Sequence, residues 1–348
     1  MRFDEENFPL SGSTESVTSR ESRGFAPDQM VACAECVRAN PPTRMNCLYC
    51  GATLPTDDAH AALRRPSLRR MEEWEGGINI ILMPGGDESA SPEAFNEAAD
   101  LLRLEVERVR EMWLKRRPLP LARVSSSDEA ALIKERLDAL GLRGEFVPDE
   151  LLAAGFSPPK RVRQMDLEVD ALTFRAGAGG EELVVGWEDV TAFVRGRIFN
   201  KRVEVEGRGS FPGVEKEIAE ARELKSDEAV LDVYTKDSDG SWRISADNFD
   251  YSCLGARKAL LAKDNFVTLT DTLRARAGAA FFDDDYRELR HLLFPAWPLS
   301  ERTESRGLRR ERPGRFNTEA VTHVSNEAQF TRYSRLCHYF QLQRSGSR

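Results

Sequence analysis

The chain has 348 residues, a formal net charge of −8, 41% hydrophobic residues and 31% charged residues. Such a composition fits a globular protein of two or three domains with some solvated segments. The acidic balance excludes a chain whose overall charge is built for nucleic acid or an anionic membrane, and the lack of any run of about 18 apolar residues excludes a membrane-spanning helix.

Residues 1–28 are rich in Ser, Glu, Arg and Gly, with early acids and no apolar stretch of the kind a secretory signal needs. They are expected to be disordered. A zinc knuckle is expected over 30–55, because Cys33, Cys36, Cys47 and Cys50 have the spacing C-x2-C-x10-C-x2-C. Each C-x-x-C turn presents two thiolates to one ion, and zinc takes four such ligands in a tetrahedron. A module of about 25 residues buries too little apolar surface to fold alone, so the metal supplies the fold. The cofactor read here is one structural zinc per chain, closed by four protein ligands and therefore unable to activate water. Two local disulfides are the alternative. Six cysteines in a chain of this length point instead to a reducing, cytoplasmic setting.

Residues 56–75 form a polar linker with Arg64, Arg65, Arg69 and Arg70, which is either a solvated charge cluster or a phosphate or RNA contact. A small α/β module follows at 76–152. Ile78–Met83 reads as a buried strand stopped by Pro84-Gly85-Gly86. Ser91 and Pro92 start a helix, along which Phe95, Ala98, Leu102, Val106, Val109 and Trp113 recur at helical spacing. Pro118 ends it, and Leu119–Val124 makes a second strand. Ser126 and Glu129 form a capping box for a helix lined by Ala130, Ile133, Leu137 and Leu140. Gly141 suits that helix's end, and Gly144–Val147 returns as a strand. This β-α-β-α-β order suggests a small sandwich, with ferredoxin-like as one option.

The texture changes over 160–280 to short strands separated by Gly-, Asp- and Ser-bearing turns. Residues 207–227 read as an insertion containing a charged helical piece. A helix from Asp264 to about Ala277 then carries Phe266, Leu269 and Leu273 on one face. An extension at 281–299, a disordered linker at 300–316 and a helical tail at 317–348 complete the chain. In the tail Phe330, Tyr333, Cys337 and Phe340 share a stripe, which either docks on the protein's own body or grips a partner.

Two resemblances rest on these residues. With Asn40 between the cysteine pairs, the pattern C-x2-C-x3-N-x6-C-x2-C is similar to the Ran-binding-protein type of zinc finger. Members of that family bind single-stranded RNA, ubiquitin or other proteins, which implies Arg38, Asn40, Arg44 and Asn46 as a candidate partner surface. Val31 stands where that family usually has tryptophan, so the stacking platform for RNA is missing. The tail CLYCGATLP is equally similar to short zinc ribbons of bacterial proteins of unrelated function. Further along, Trp187-Glu188-Asp189-Val190 leading into a strand, with the closing Phe266–Leu269–Leu273 helix, resembles a pleckstrin-homology or GRAM-like barrel. That resemblance implies a β-rich, PH-like barrel plugged by a C-terminal helix. Many such barrels bind phosphoinositides through a basic first loop. Here Ala176–Glu182 is acidic, which argues against lipid headgroups and for a protein partner.

No phosphate loop, G-x-S-x-G or H-E-x-x-H occurs. His60, His291, His323 and His338 are scattered. Asp283-Asp284-Asp285 reads as an acid run at a helix start, and Cys253 as a buried thiol. The chain is therefore read as a multi-domain α+β protein, a non-catalytic zinc-binding adaptor or regulatory interaction protein. Its rivals are a nucleic-acid binder that uses the finger and Arg64–Arg70, and an enzyme with a site assembled from dispersed residues.

Overall fold

The computed structural model describes residues 25–55, 63–85, 90–153, 158–176, 182–209, 217–236, 241–312 and 315–346. Of the strand residues, the side chains of 206–209, 217–221, 306–312 and 315–319 lie outside this description. The chain divides into two units, Met1–Arg65 and Pro66–Arg348. Disorder was expected over 1–28: residues 1–24 fall outside the described residues, as does the linker segment 56–62, while Pro27–Gln29 form a 3-10 turn.

In the smaller unit, β1 (Val31–Ala32) pairs antiparallel with β2 (Ala39–Asn40). A single bridge, Asn46 with Thr53, ties the second cysteine turn back on itself. The apolar interior is small: Cys33, Cys47 and Leu54, flanked by Val31, Cys36 and Ala52.

The larger unit starts with β3 (Ile78–Leu82), whose unbroken apolar run is buried on both faces. It lies between β4 (Leu119–Val124) and β5 (Gly144–Pro148) and is antiparallel to both. Three strands in the order β4-β3-β5 replace the four-stranded ferredoxin-like option. The helix expected after Ser91 begins as its cap dictates, with Ser91 Oγ accepting from the Ala94 N–H at 3.2 Å. It is two helices, however: α1 (Pro92–Leu102) and α2 (Val106–Leu114). Arg103 breaks them apart in the left-handed region, at φ 55°. Its guanidinium donates to the carbonyls of Pro66 and Ser67 at 3.2 and 3.1 Å. That tertiary anchor overrides an apolar repeat that runs on without interruption.

The next helix, α3 (Ser127–Ala139), has its Ser126 cap at the Glu129 N–H. The capping box does not close. The Glu129 carboxylate turns to Ser67 Oγ at 3.0 Å and the Leu68 N–H at 2.7 Å, so the acid that looks like a local cap holds a distant segment. Gly141 sits at φ 75°, where the helix ends as expected. A short helix, α4 (Asp149–Leu152), follows β5.

Strands β6 (Lys160–Val162), β7 (Gln164–Leu167), β8 (Ala171–Arg175) and β9 (Glu182–Gly186) lead through a 3-10 turn at Trp187–Asp189 into β10 (Val190–Gly209). The last of these pairs with β11 (Glu217–Thr235) in one long antiparallel ladder. The helical piece expected within 207–227 is thus strand wherever it is described. Its charged residues find cross-strand partners instead of helical neighbours: Lys201 Nζ lies 2.6 Å from the Glu223 carboxylate. Strand β12 (Trp242–Ser245), helix α5 (Ala262–Arg276), β13 (Phe281–Asp283) and α6 (Tyr286–Leu293) follow. Residues 300–316 were expected to be disordered, but the described part forms β14 (Ser300–Arg312) and the start of β15 (Arg315–Ser325). Residues 317–325 at the start of the expected helical tail are therefore strand, and the helix follows Ser325 as expected, as α7 (Glu327–Gly346). Exposed residues such as Glu301 and Arg302 have no apolar alternation to announce a strand. Their backbone is held because β15 lies beside β10, Asn200 opposite Ser325.

These strands make a seven-stranded sheet, β14-β15-β10-β11-β12-β6, with β13 parallel to β10, and a separate antiparallel sheet β7-β8-β9. No closed barrel forms among the described residues, which corrects the PH-like expectation: β14 and β6 remain edges. The large sheet instead lies between two apolar cores. Ala192, Val194, Val230 and Tyr234 face one, with β3, β4, α1–α3, α6 and α7. Phe193, Leu231 and Val233 face the other, with β8, β9, β12 and α5. This is the period-2 alternation of a strand buried on both sides. Phe266, Leu269 and Leu273 of α5 fill the second core as their spacing predicts.

Candidate metal centre

The two C-x-x-C turns bring four sulfurs together. All four lie within 4.8 Å of one another, with Cys33 Sγ 3.6 Å from Cys50 Sγ and Cys36 Sγ 3.5 Å from Cys47 Sγ. Tetrahedral zinc–thiolate bonds of about 2.3 Å set ligand sulfurs about 3.8 Å apart. The cluster therefore has the size of a single metal-ion site, and its all-sulfur donor set suits zinc.

Each turn is built to point its thiols inward. The Val37 N–H donates to the Cys33 carbonyl at 2.9 Å, and the Gly51 N–H to the Cys47 carbonyl at 3.1 Å. Gly51 takes φ 78° at no steric cost, whereas Val37 holds φ 60° as a β-branched residue, a strained position. Asn40 ties the turns to each other. Its amide donates to the Arg38 carbonyl at 2.8 Å and to Cys47 Sγ at 3.4 Å, and its Oδ1 accepts from the Leu48 N–H at 2.8 Å.

The electrostatics follow from those donors. Burial acts to raise the Cys47 thiol, but the N–H groups of Tyr49 and Cys50 and the Asn40 amide outweigh it and bring it down to about 6. The Ala52 N–H acts to lower Cys50; burial and the three neighbouring sulfurs outweigh that and push it up to about 12. Four sulfurs this close favour sharing protons unless a cation replaces them.

Of the residues expected to form a partner surface, Asn40 is fully buried and belongs to the frame of the site. Arg44 and Asn46 are spent locally: Arg44 Nε donates to the Asn46 carbonyl at 3.3 Å and the Asn46 amide to the Gly51 carbonyl at 3.2 Å. Arg38 is the outward-facing member, its guanidinium 4.7 Å from the centre of the Tyr49 ring. Three exposed apolar side chains accompany it, Val37, Leu48 and Tyr49, at 80%, 53% and 56% exposure. Leu48 and Tyr49 were overlooked in the sequence although a signal exists. They are the two residues between paired ligands, and when both thiols turn in, the intervening side chains turn out.

Phe330, Tyr333 and Phe340 are no surface. They lie in the first core of the larger unit, at 0%, 1% and 7% exposure, and Phe330 packs so closely on β10 that a Cβ at Gly196 would sit 2.2 Å from its ring. Apolar burial decided this: the stripe had a sheet face to cover within its own chain. The Arg64–Arg70 cluster is also partly consumed. Arg64 is buried, donating to the Leu54 and Pro55 carbonyls at 2.8 and 2.9 Å, and Arg69 pairs with Glu75. The acid run at 283–285 is entirely ion-paired: Asp283 and Asp285 with Arg117, and Asp284 with Arg195 at 2.6 Å. His291 lies 3.2 Å from Glu111, His338 stacks on Tyr234, and His60 lies outside the described residues. Cys253, expected as a buried thiol, is half-buried, and burial pushes its thiol up to about 11.

No family model matches the chain, and no curated protein or solved structure matches it.

Proposed function

We propose that the protein is a zinc-binding interaction protein of the cytoplasm, without catalysis of its own, whose knuckle grips a protein partner through Val37, Arg38, Leu48 and Tyr49. The observation that carries this reading is the pairing of a closed four-sulfur cluster with an exposed aliphatic and aromatic patch on the same turns. A metal held by four thiolates has no open position for substrate or water, so zinc would supply folding and rigidity rather than chemistry. Tyrosine backed by arginine, beside two aliphatic side chains, is the composition of an interface centre. Among the described residues no helix is long and apolar enough to cross a membrane.

The test is retention of proteins from native cells by the wild-type chain and by Leu48→Ala/Tyr49→Ala, with zinc measured by elemental analysis. One zinc per chain in both, with the partner lost only from the double variant, is the expected result. Equal retention by both, or less than one metal ion per chain in the wild type, removes the reading.

Nucleic acid is the second reading, and the Arg38–Tyr49 pair is what favours it, since an arginine-backed ring is a base-stacking platform. The commitment of Arg64 and Arg69 to internal partners weakens it. Its discriminator is RNase treatment, together with a steep fall in RNA retention between low and moderate salt.

A further inference from the structure

The larger unit contains a cleft of about 390 Å³ between the end of α2, β13, the start of α6 and the last turns of α7, within the size range of small-ligand sites. Phe281, Leu336, Phe340 and Tyr333 supply its apolar and aromatic lining. Its cations differ in how far they are neutralised. Arg117 is pinned by Asp283 and Asp285 and by the Tyr333 hydroxyl at 3.2 Å, while that hydroxyl donates to Asp283 at 2.6 Å. Lys115 leans on Glu111 at 3.8 Å. Arg116 and Arg344 also line the cleft, are exposed, and have no acidic partner among the described residues. Arg116 is held there by a left-handed backbone, φ 49°, a conformation that costs a non-glycine residue energy and that recurs at ligand sites. Of the two acids that line the cleft, Asp285 is taken by Arg117, while Glu288 has no cationic partner among the described residues and opposes these two guanidinium groups.

Two arginines without acidic partners among the described residues, lining one cleft from separate elements beside an aromatic ring, suit one ligand chemistry. A phosphate group offers several oxygens to two guanidinium forks, and a ring attached to it would cover the exposed part of the half-buried Phe281. We propose that this cleft binds a small aromatic phosphate of the nucleotide type, with Arg116 and Arg344 holding the phosphate and Phe281 receiving the ring. The inference stands independently of the knuckle: a closed zinc site neither requires nor excludes a small-molecule effector on the larger unit.

The experiment is calorimetric titration of the full zinc-loaded chain at low salt with ADP and, separately, with inorganic pyrophosphate. Saturable one-to-one binding of ADP is expected, weaker for pyrophosphate, which lacks a ring. Arg344→Ala and Arg116→Gln should each weaken ADP by about tenfold, the worth of a charge-assisted hydrogen bond. Glu288→Gln should tighten it, because the opposing charge is gone; a merely structural role for Glu288 would not do so. All three side chains are exposed, so the variants should melt with the wild type. Absence of saturable ADP binding overturns the proposal, as does wild-type affinity in both arginine variants. Pyrophosphate binding as tightly as ADP overturns the role given to Phe281. Leu48→Ala/Tyr49→Ala should bind ADP normally, which separates failure here from failure of the partner reading.

Discussion

The two units are held together by different physics. The knuckle buries three residues as its core, Cys33, Cys47 and Leu54, and two of those belong to the four-sulfur cluster. The larger unit covers both faces of its central strands with apolar side chains, from Trp297 and Phe330 on one side to Trp242 and Phe174 on the other. With so little apolar burial, an ion held by the four sulfurs would be what folds it. The larger unit has no single point on which everything rests, and its sensitive places are charged groups inside the core.

The sharpest way to break this comparison is to take the metal away. Chelation, or Cys47→Ser, should abolish the amide dispersion of residues 30–55 in NMR spectra, and leave the unfolding midpoint of the larger unit unchanged. A fall in that midpoint would show that the two units share a core.

Next in size is Asp232→Asn. Asp232 is fully buried on β11 and takes Arg243 through both oxygens, at 2.7 and 2.8 Å. Burial works against the Arg243 charge, and Asp232 more than compensates. Neutralising the acid leaves a buried guanidinium with Thr331 and Glu327 as its remaining partners. The expected cost is roughly 3–5 kcal/mol in denaturant unfolding, with the zinc content untouched.

A smaller effect comes from pH. Burial against Tyr234 holds His338 down at about 4, against an unfolded value of about 6.5. The unfolded chain therefore binds more protons, and stability rises with pH across that window. The contribution is complete above about 6.5 and lost as pH falls towards 4, at most about 3 kcal/mol in all. Urea midpoints of the larger unit at pH 7 and pH 5, in the wild type and in His338→Gln, should show a smaller acid loss in the variant. Equal losses would place the acid sensitivity elsewhere.

The smallest effect is local. Ser91→Ala removes the cap of α1 and should cost about 1 kcal/mol. A loss of several kcal/mol would mean that the Ser91 hydroxyl has a role beyond the helix end.

Chemistry carried by ligand spacing or by one element alone was legible in the sequence. The cysteine pairs, the Ser91 and Ser126 caps, the turn at Gly141 and the apolar face of α5 all appear where their residues put them. What failed was local chemistry redirected by distant partners. Glu129 left its helix end for Ser67 and Leu68, and Arg103 left a continuous apolar repeat for the carbonyls of Pro66 and Ser67. The polar segments at 217–227 and 300–312 became strands because neighbouring backbones supplied their hydrogen bonds, and no side-chain pattern encodes that.

By itself, then, the sequence determined a four-thiolate knuckle and the ends of individual helices, because ligand spacing and capping act over a few residues. Tertiary structure alone decided that the expected barrel is an open sheet between two cores, that the aromatic stripe of α7 is interior, and that Val37, Leu48 and Tyr49 stand outside with Arg38. Each of those outcomes depends on which surface a side chain finds to cover, and that surface is assembled from segments far apart in the chain.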